Sequence, residues 1–517
     1  MTQSPDILLL VLDTQRADRL SCYGYEQPTS PNLDAFAQDA LRFRQACSAA
    51  QWTVPSHSSM FTGLYPGEHR TQQSSSILPD SIPTIAEQLS ESGYYTAAFC
   101  NNPLVGVVNN GLRRGFQSWM NYSGLLTSRP NQAGAKRTPV GSYRQGFKRV
   151  LAKWLHKVQD SFARSDALLA FAFTPFMVPI WQTALSFKGN TSKSLRDAAN
   201  LLIERKGVPG DKPVFAFVNL MGTHMPFHPD REFMEEFAPE ISRDKAAQRY
   251  LRRFNSDVLG WLTPTSDKMP AKERALLNGM YNAEIATQDR HLGAFFARLR
   301  ATGALDNTLI IVCADHGEHL GEKHFIGHTV SLYHELTHVP LLVRDGRNPA
   351  GRGETAAQPV SLRRVYHTIL DAAGLADKRA ARYSLLAETI DDPEADPDRG
   401  TVFAEAVTPE NVLHLLQRSD PELAVTHYCD QRRIAVWQKP YKLILTGAVL
   451  TELYHYEDDP DELHNLVDEK PEVVDYLRRE IEGYITRTAA VAVTPGAQQE
   501  AVSAQVAERL RALGYIE

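Results

Sequence analysis

Two uninterrupted apolar runs, residues 7–12 and 309–313, restrict what this chain can fold into more than any other feature. A strand with one wet face alternates apolar and polar residues, whereas a run that is apolar at every position suits a strand covered on both faces, as in a mostly parallel sheet flanked by helices. Both runs end on chemistry: Asp13-Thr14 follows the first and Asp315-His316-Gly317-Glu318 the second. Ligands of open α/β sheets bind beyond the carboxyl ends of the strands, so Asp13, Asp315 and His316, all metal-ligand types, are expected to meet at one sheet edge. The plainer alternative for each Asp is a cap on the helix after its strand. Residues 214–218 repeat the apolar pattern and bring 219–228, including His224, to the same edge. Residues 96–100 do so for Asn101 and Asn102, where an amide either forms the turn or binds a substrate oxyanion.

A third feature is the hydroxyl-rich turn Trp52-Thr53-Val54-Pro55-Ser56-His57-Ser58-Ser59. A hydroxyl just ahead of a Pro-initiated helix lies where unpaired backbone N–H groups and the positive end of the helix dipole point outward, a setting that suits an anionic substrate. Thr53 is therefore either the reacting hydroxyl or an ordinary N-cap.

The length of 517 residues accommodates one large α/β domain and a smaller partner, and a net charge of −6 over that length gives no sign of nucleic acid as a partner. Five cysteines at scattered positions show neither metal spacing nor a disulfide framework, and are expected to be reduced and mostly buried. The first strand begins within six residues of Met1 without a leader pattern, which gives an expectation of a cytoplasmic protein.

Several of these segments form an ordered set. Asp13-Thr14-Gln15-Arg16-Ala17-Asp18, the Thr53-x-Pro55-Ser56-His57 turn with Thr62-Gly63, and Asp315-His316-Gly317-Glu318-x-x-Gly321-Glu322 together resemble the sulfatase family of the alkaline phosphatase superfamily. His224-Met225-Pro226-Phe227, Val339-Pro340-Leu341, Glu452-Leu453-Tyr454 and a closing Leu513-Gly514-Tyr515 extend the resemblance over most of the chain except about 120–190. It implies an alkaline-phosphatase-like sandwich: a catalytic domain over 1–375 with a large, mostly parallel sheet between helices, and a small C-terminal domain over 376–517 with a short antiparallel sheet and a helix.

One departure from the family is decisive for the chemistry. Sulfatases oxidise the first residue of a Cys/Ser-x-Pro-x-Arg motif to formylglycine; here that position is Thr53 and the Arg position is His57. The methyl on the Thr53 β-carbon blocks the aldehyde, and Thr here is similar to the phosphoethanolamine and phosphoglycerol transferases of the superfamily, whose hydroxyl is the nucleophile. The resemblance then implies a divalent metal on Asp13, Thr53, Asp315 and His316, with Zn or Mn favoured by the histidine over Ca or Mg. Thr14 stands where many sulfatases carry a second Asp. His57, His224 and His328 would stabilise the anion or protonate the leaving group, with His328 near a lysine position of the family and Lys323 its rival; Asn101 and Lys323 would contact substrate. The expected activity is metal-dependent hydrolysis or transfer of phosphate or phosphodiester-type esters, the substrate being a small or lipid-linked anionic ester. A sulfatase using an unmodified hydroxyl and a catalytically silent binding protein are the alternatives.

The stretch 133–190 departs from the family. Seven Lys/Arg and no acids between Lys136 and Lys157 accompany apolar residues at helical spacing, and 167–187 carries 21 residues without a formal charge but with Pro175 and Pro179. It is read as a buried lid or as a peripheral membrane contact through 136–187. Elsewhere the periodicity predicts a helix with Leu33, Phe36, Ala37, Ala40 and Leu41 on one face, another near 281–302, and a hairpin of 433–437 with 441–445.

Overall fold

The two apolar runs lie side by side as the middle of one sheet. The computed structural model describes residues 4–106, 108–123, 188–257 and 260–491. The main sheet consists of β1 (Asp6–Leu12), β2 (Leu41–Phe43), β3 (Tyr95–Cys100), β4 (Ser118–Asn121), β5 (Val214–Leu220), β6 (Thr308–Cys313), β7 (Leu341–Asp345) and β8 (Thr355–Ala356). Their spatial order is β8-β2-β7-β6-β1-β5-β3-β4. From β6 to β4 neighbouring strands run parallel, while β7 is antiparallel to β6.

Both faces of β1 are covered, which is why its sequence does not alternate. Leu8, Leu10 and Leu12 pack with helices α1 (Pro31–Ala37), α4 (Thr191–Glu204) and α5 (Ala271–Ala301). Ile7, Leu9 and Val11 pack on the other side with α2 (Thr53–Thr62), α3 (Ile85–Glu91) and α6 (Arg364–Ala372). Each such side chain contributes about 1.5–3 kcal/mol by leaving water, so register is strongly fixed and the strand ends are rigid platforms.

Two boundaries differ from the periodicity. The first helix stops at Ala37 and Leu41 opens β2, whose pairing with β7 (Leu342↔Arg42) and β8 (Thr355↔Arg42) outweighs the helical spacing of Leu41. The helix expected near 281–302 begins earlier, at Ala271.

A second sheet is antiparallel throughout: β9 (Thr401–Ala406), β10 (Arg433–Gln438), β11 (Tyr441–Thr446) and β12 (Leu450–His455), in that order. Helix α7 (Pro471–Val491) lays Val474, Leu477, Ile481 and Tyr484 on it. Strand β9, absent from the hairpin expectation, carries this sheet to the main body through Glu405, whose amide donates to the Ala49 carbonyl at 3.0 Å.

Four cysteines are buried and Cys22 is partly so, all free thiols. The stretch 136–187 and the closing motif 513–515 lie outside the described residues. Among the described residues, no helix is long and apolar enough to cross a membrane.

Candidate active site

Parallel register delivers the site. Leu12 pairs with Leu220 and Val11 with Cys313, so Asp13 leaves β1 between the ends of β5 and β6, beside Asp315 and His316. The chain then turns sharply. Thr14 adopts a left-handed φ of 61°, rare for a residue with a branched β-carbon, and its amide donates to Asp315 Oδ1 at 3.2 Å. Tyr281 of α5 holds this turn, giving its hydroxyl proton to the Thr14 carbonyl at 2.6 Å and accepting the Arg16 N–H at 2.9 Å.

The donor set fits a divalent cation. Asp13, Asp315 and His316 are fully buried and each offers one ligand atom within 4.8 Å of the others. Asp13 Oδ2 accepts the Asn102 amide at 2.6 Å and the Asn219 amide at 3.3 Å, while Asp13 Oδ1 has no hydrogen-bond partner. Asp315 Oδ1 takes the amides of Thr14 and His316, and its Oδ2 is likewise unpartnered. His316 Nδ1 donates to the Gly317 carbonyl at 2.9 Å, which leaves Nε2 as a lone pair. Burial and then the charge of Asp13 push the Asp315 carboxyl well above the usual carboxylate range. A divalent cation held by both carboxylates would offset the cost of burying them side by side. Burial and then His328 hold His316 well below the usual imidazole range, in the neutral form a metal needs.

Thr53 opens α2 rather than capping it. Trp52 has the extended cap conformation, Thr53 is the first helical residue, and no side-chain cap hydrogen bond forms. Its hydroxyl lies 3.3 Å from His316 Nε2. The other hydroxyls of the turn are structural: Ser56 donates to the Asp315 carbonyl at 2.7 Å, Ser58 to the Val54 carbonyl at 2.9 Å, and Ser59 pairs with His69 Nε2 at 3.0 Å.

Of the predicted histidines, His57 is placed behind Thr53. It is fully buried, its Nδ1 donates to the Thr53 carbonyl at 2.9 Å and its Nε2 accepts from Asn219 at 3.4 Å. Burial lowers its pKa, so it orients α2 as a neutral ring packed edgewise on Phe61 and Phe217. His328 and His224 line the approach, with ring centroids 5.1 Å apart and His328 4.5 Å from His316. His328 Nδ1 pairs with Glu318 Oε1 at 2.7 Å; burial works against the charge, but the Glu318 carboxylate lifts the imidazole above its ordinary range. His224, with Nδ1 donating to the Met225 carbonyl, is lowered by burial and then by His328.

Two predicted substrate contacts are placed otherwise. Asn101 is buried with its amide lacking a hydrogen-bond partner, while the residue that reaches Asp13 is Asn102. Lys323 turns to the second sheet: its ammonium donates to the Glu462 carbonyl and lies 4.7 Å and 5.3 Å from the ring centres of Tyr333 and Tyr454. Its left-handed φ of 50° directs it there, away from the group around Thr53. Asn219 and Glu318 were missed as site residues; a polar residue inside the apolar run of β5 is the signal that marks Asn219.

Gly317 is required by close approach, since a β-carbon there would lie 1.9 Å from the Glu335 carbonyl oxygen. Gly317→Ala is expected to cost about 2–3 kcal/mol in chemical denaturation by overpacking, and a cost near zero would mean that the loop has room to move.

The sulfatase family model matches residues 5–375.

The chain belongs to the sulfatase family.

It is an ester hydrolase of the alkaline phosphatase superfamily. An arylsulfatase of Clostridium perfringens is 23% identical over 492 residues, 93% of this chain and 95% of that protein. The multifunctional alkaline phosphatase superfamily protein PehA of Trinickia caryophylli is 26% identical over 388 residues, 68% of this chain and 70% of its own length. The solved phosphonate monoester hydrolase of Agrobacterium radiobacter has the same fold, with a TM-score of 0.64 at 19% identity over 94% of this sulfatase-family chain and 96% of the other.

Proposed function

We propose that the protein hydrolyses, or transfers the phosphoryl group of, phosphate- and phosphodiester-type esters, with the unmodified Thr53 hydroxyl as nucleophile. The observation that carries this reading is the Thr53 hydroxyl 3.3 Å from His316 Nε2, at the start of α2 and beside the Asp13–Asp315 pair. A divalent cation on Asp13, Asp315 and His316, with Thr53 as a further ligand, would lower the hydroxyl pKa and offset the charge of the ester oxygens, Zn or Mn suiting the nitrogen donor better than Ca or Mg.

Thr53 Oγ1, having lost its proton to solvent, attacks as the alkoxide and bonds to phosphorus as the bond to the leaving oxygen breaks on the opposite side. His328, kept charged by Glu318, gives that oxygen its proton. Water then attacks the phosphorus of the Thr53 ester, His328 takes the proton it loses, and the Thr53 oxygen is released; an alcohol in place of water gives transfer. His224, with Nδ1 engaged by the Met225 carbonyl, stands beside His328 on the side from which the substrate would enter.

Sulfate esters are the second reading, favoured by the family and by the arylsulfatase likeness. Against them stands the threonine. A formylglycine hydrate has a second hydroxyl that can expel the anion, whereas a threonine ester must be opened at sulfur or phosphorus. The test is kcat/KM for one aryl alcohol as its phosphate monoester, phosphodiester, phosphonate monoester and sulfate. A phosphorus ester should be the best substrate, and preference for the sulfate would overturn the assignment.

His328→Ala should slow an alkyl ester by about 10²–10³-fold while slowing a nitrophenyl ester far less, because nitrophenolate leaves without a proton. Equal losses for both esters would remove His328 as the acid.

A further inference from the structure

Behind the catalytic loop lies a second buried set of metal-ligand side chains, outside the Thr53 site. His319, Glu322 and Glu335 each place one donor atom within 4.8 Å of the others, and they are 1%, 8% and 4% exposed. His319 Nε2 is engaged with the Ser331 hydroxyl at 2.6 Å. Its Nδ1 faces Glu335 Oε2 at 3.9 Å, and neither atom has a hydrogen-bond partner. With Nε2 held at Ser331, His319 Nδ1 and Glu335 Oε2 face each other away from water, too far apart to hydrogen-bond. Two polar atoms buried without a partner are unfavourable, and a cation between them would supply one to both.

The arginines beside the cluster gather at one edge of it, on Glu322 and Asp18. Arg16, Arg19 and Arg274 reach Glu322 at 2.9, 3.7 and 3.5 Å, but all three approach the same oxygen, Oε1. Glu322 Oε2 accepts the Leu320 N–H at 2.6 Å. Arg16 is also bound twice by Asp18, at 2.9 and 2.7 Å, so its charge is shared. No guanidinium is paired with Glu335 within ion-pair distance among the described residues. With the Ser331 hydroxyl accepting from Nε2, His319 would keep its Nδ1 lone pair for a metal.

We propose that His319, Glu322 and Glu335 bind a second, structural divalent cation of the Zn or Mn class. One imidazole nitrogen with two carboxylates suits those ions better than Ca. The ion would brace the segment from which the catalytic loop hangs: the Glu335 carbonyl accepts the Glu318 N–H at 3.1 Å, and the Leu336 carbonyl accepts the Gly317 N–H at 2.9 Å. This second site does not depend on Thr53 being the nucleophile.

The test is to strip the full-length protein with chelator, reload it with Zn²⁺, dialyse, count zinc per chain and collect anomalous diffraction at the zinc edge. Two ions per chain are expected, with one peak at Asp13, Asp315 and His316 and another between His319 Nδ1 and Glu335 Oε2. His319→Ala and Glu335→Gln should each lose the second peak and keep the first. A wild-type protein with no peak at His319, or variants that keep both ions, would overturn the proposal. Should either variant fail to fold, the wild-type peak decides alone, and its position separates failure of this site from failure of the catalytic one.

Discussion

Thr53→Ala is expected to fold normally, keep its metal and lose at least about 10³-fold in turnover, while Thr53→Ser keeps measurable activity. Thr53 is the first residue of α2 and makes no cap bond, so alanine is well tolerated by the backbone. Its hydroxyl is nonetheless the one in the turn that faces His316, the neighbouring serines being engaged with backbone carbonyls or His69. Removing it leaves Asp13, Asp315 and His316 in place with nothing to attack the ester. Metal content and thermal unfolding check the intact fold, and an alanine variant near wild-type activity would eliminate Thr53. The mass of the wild-type protein should equal that of its sequence at this position, with no aldehyde.

The second large effect is expected at Asp315. Asp315→Asn preserves the size of the side chain and an oxygen for the Thr14 and His316 amides, but sets an NH₂ where the unpartnered Oδ2 now lies. Metal and activity should disappear together, with turnover again down by about 10³-fold or more. Stability should move the other way in metal-free protein. Burial and Asp13 raise the folded-state pKa of Asp315, so its contribution to stability is full below the unfolded carboxylate range and is lost as pH rises through the raised value. Asparagine removes that loss. Stripped Asp315→Asn should therefore be the more stable of the two proteins at neutral pH, with the gap closing as pH falls. Unchanged metal content in the variant would reduce Asp315 to a turn-former.

How much of this was legible in the sequence follows from what each residue has to satisfy. The central strands announced themselves because both faces are covered, and their ends named Asp13, Asp315 and His316 because parallel register brings strand ends together. A strand end identifies an edge, not a direction. That is why Asn101 was chosen where Asn102 points at Asp13, and why the charged loop after Asp315 suggested Lys323 as well as His328, whose partner at the site is Glu318. His57 occupied the expected motif position, yet helical geometry turns its ring back onto the Thr53 carbonyl. Leu41 fitted a helical stripe, and only its partners in β7 and β8, about 300 residues later in the chain, make it a strand. Strand β9 follows an acidic, proline-containing stretch and becomes recognisable through its pairing with β10.

Rapid acid quench of the zinc-loaded enzyme during turnover of an aryl phosphate, followed by peptide mass mapping, addresses the nucleophile itself. The predicted result is one phosphoryl group on the peptide carrying Thr53, present in the wild type and missing in Thr53→Ala. A phosphoryl group on another residue, or an unlabelled Thr53 while a burst of aryl alcohol is released, would contradict it.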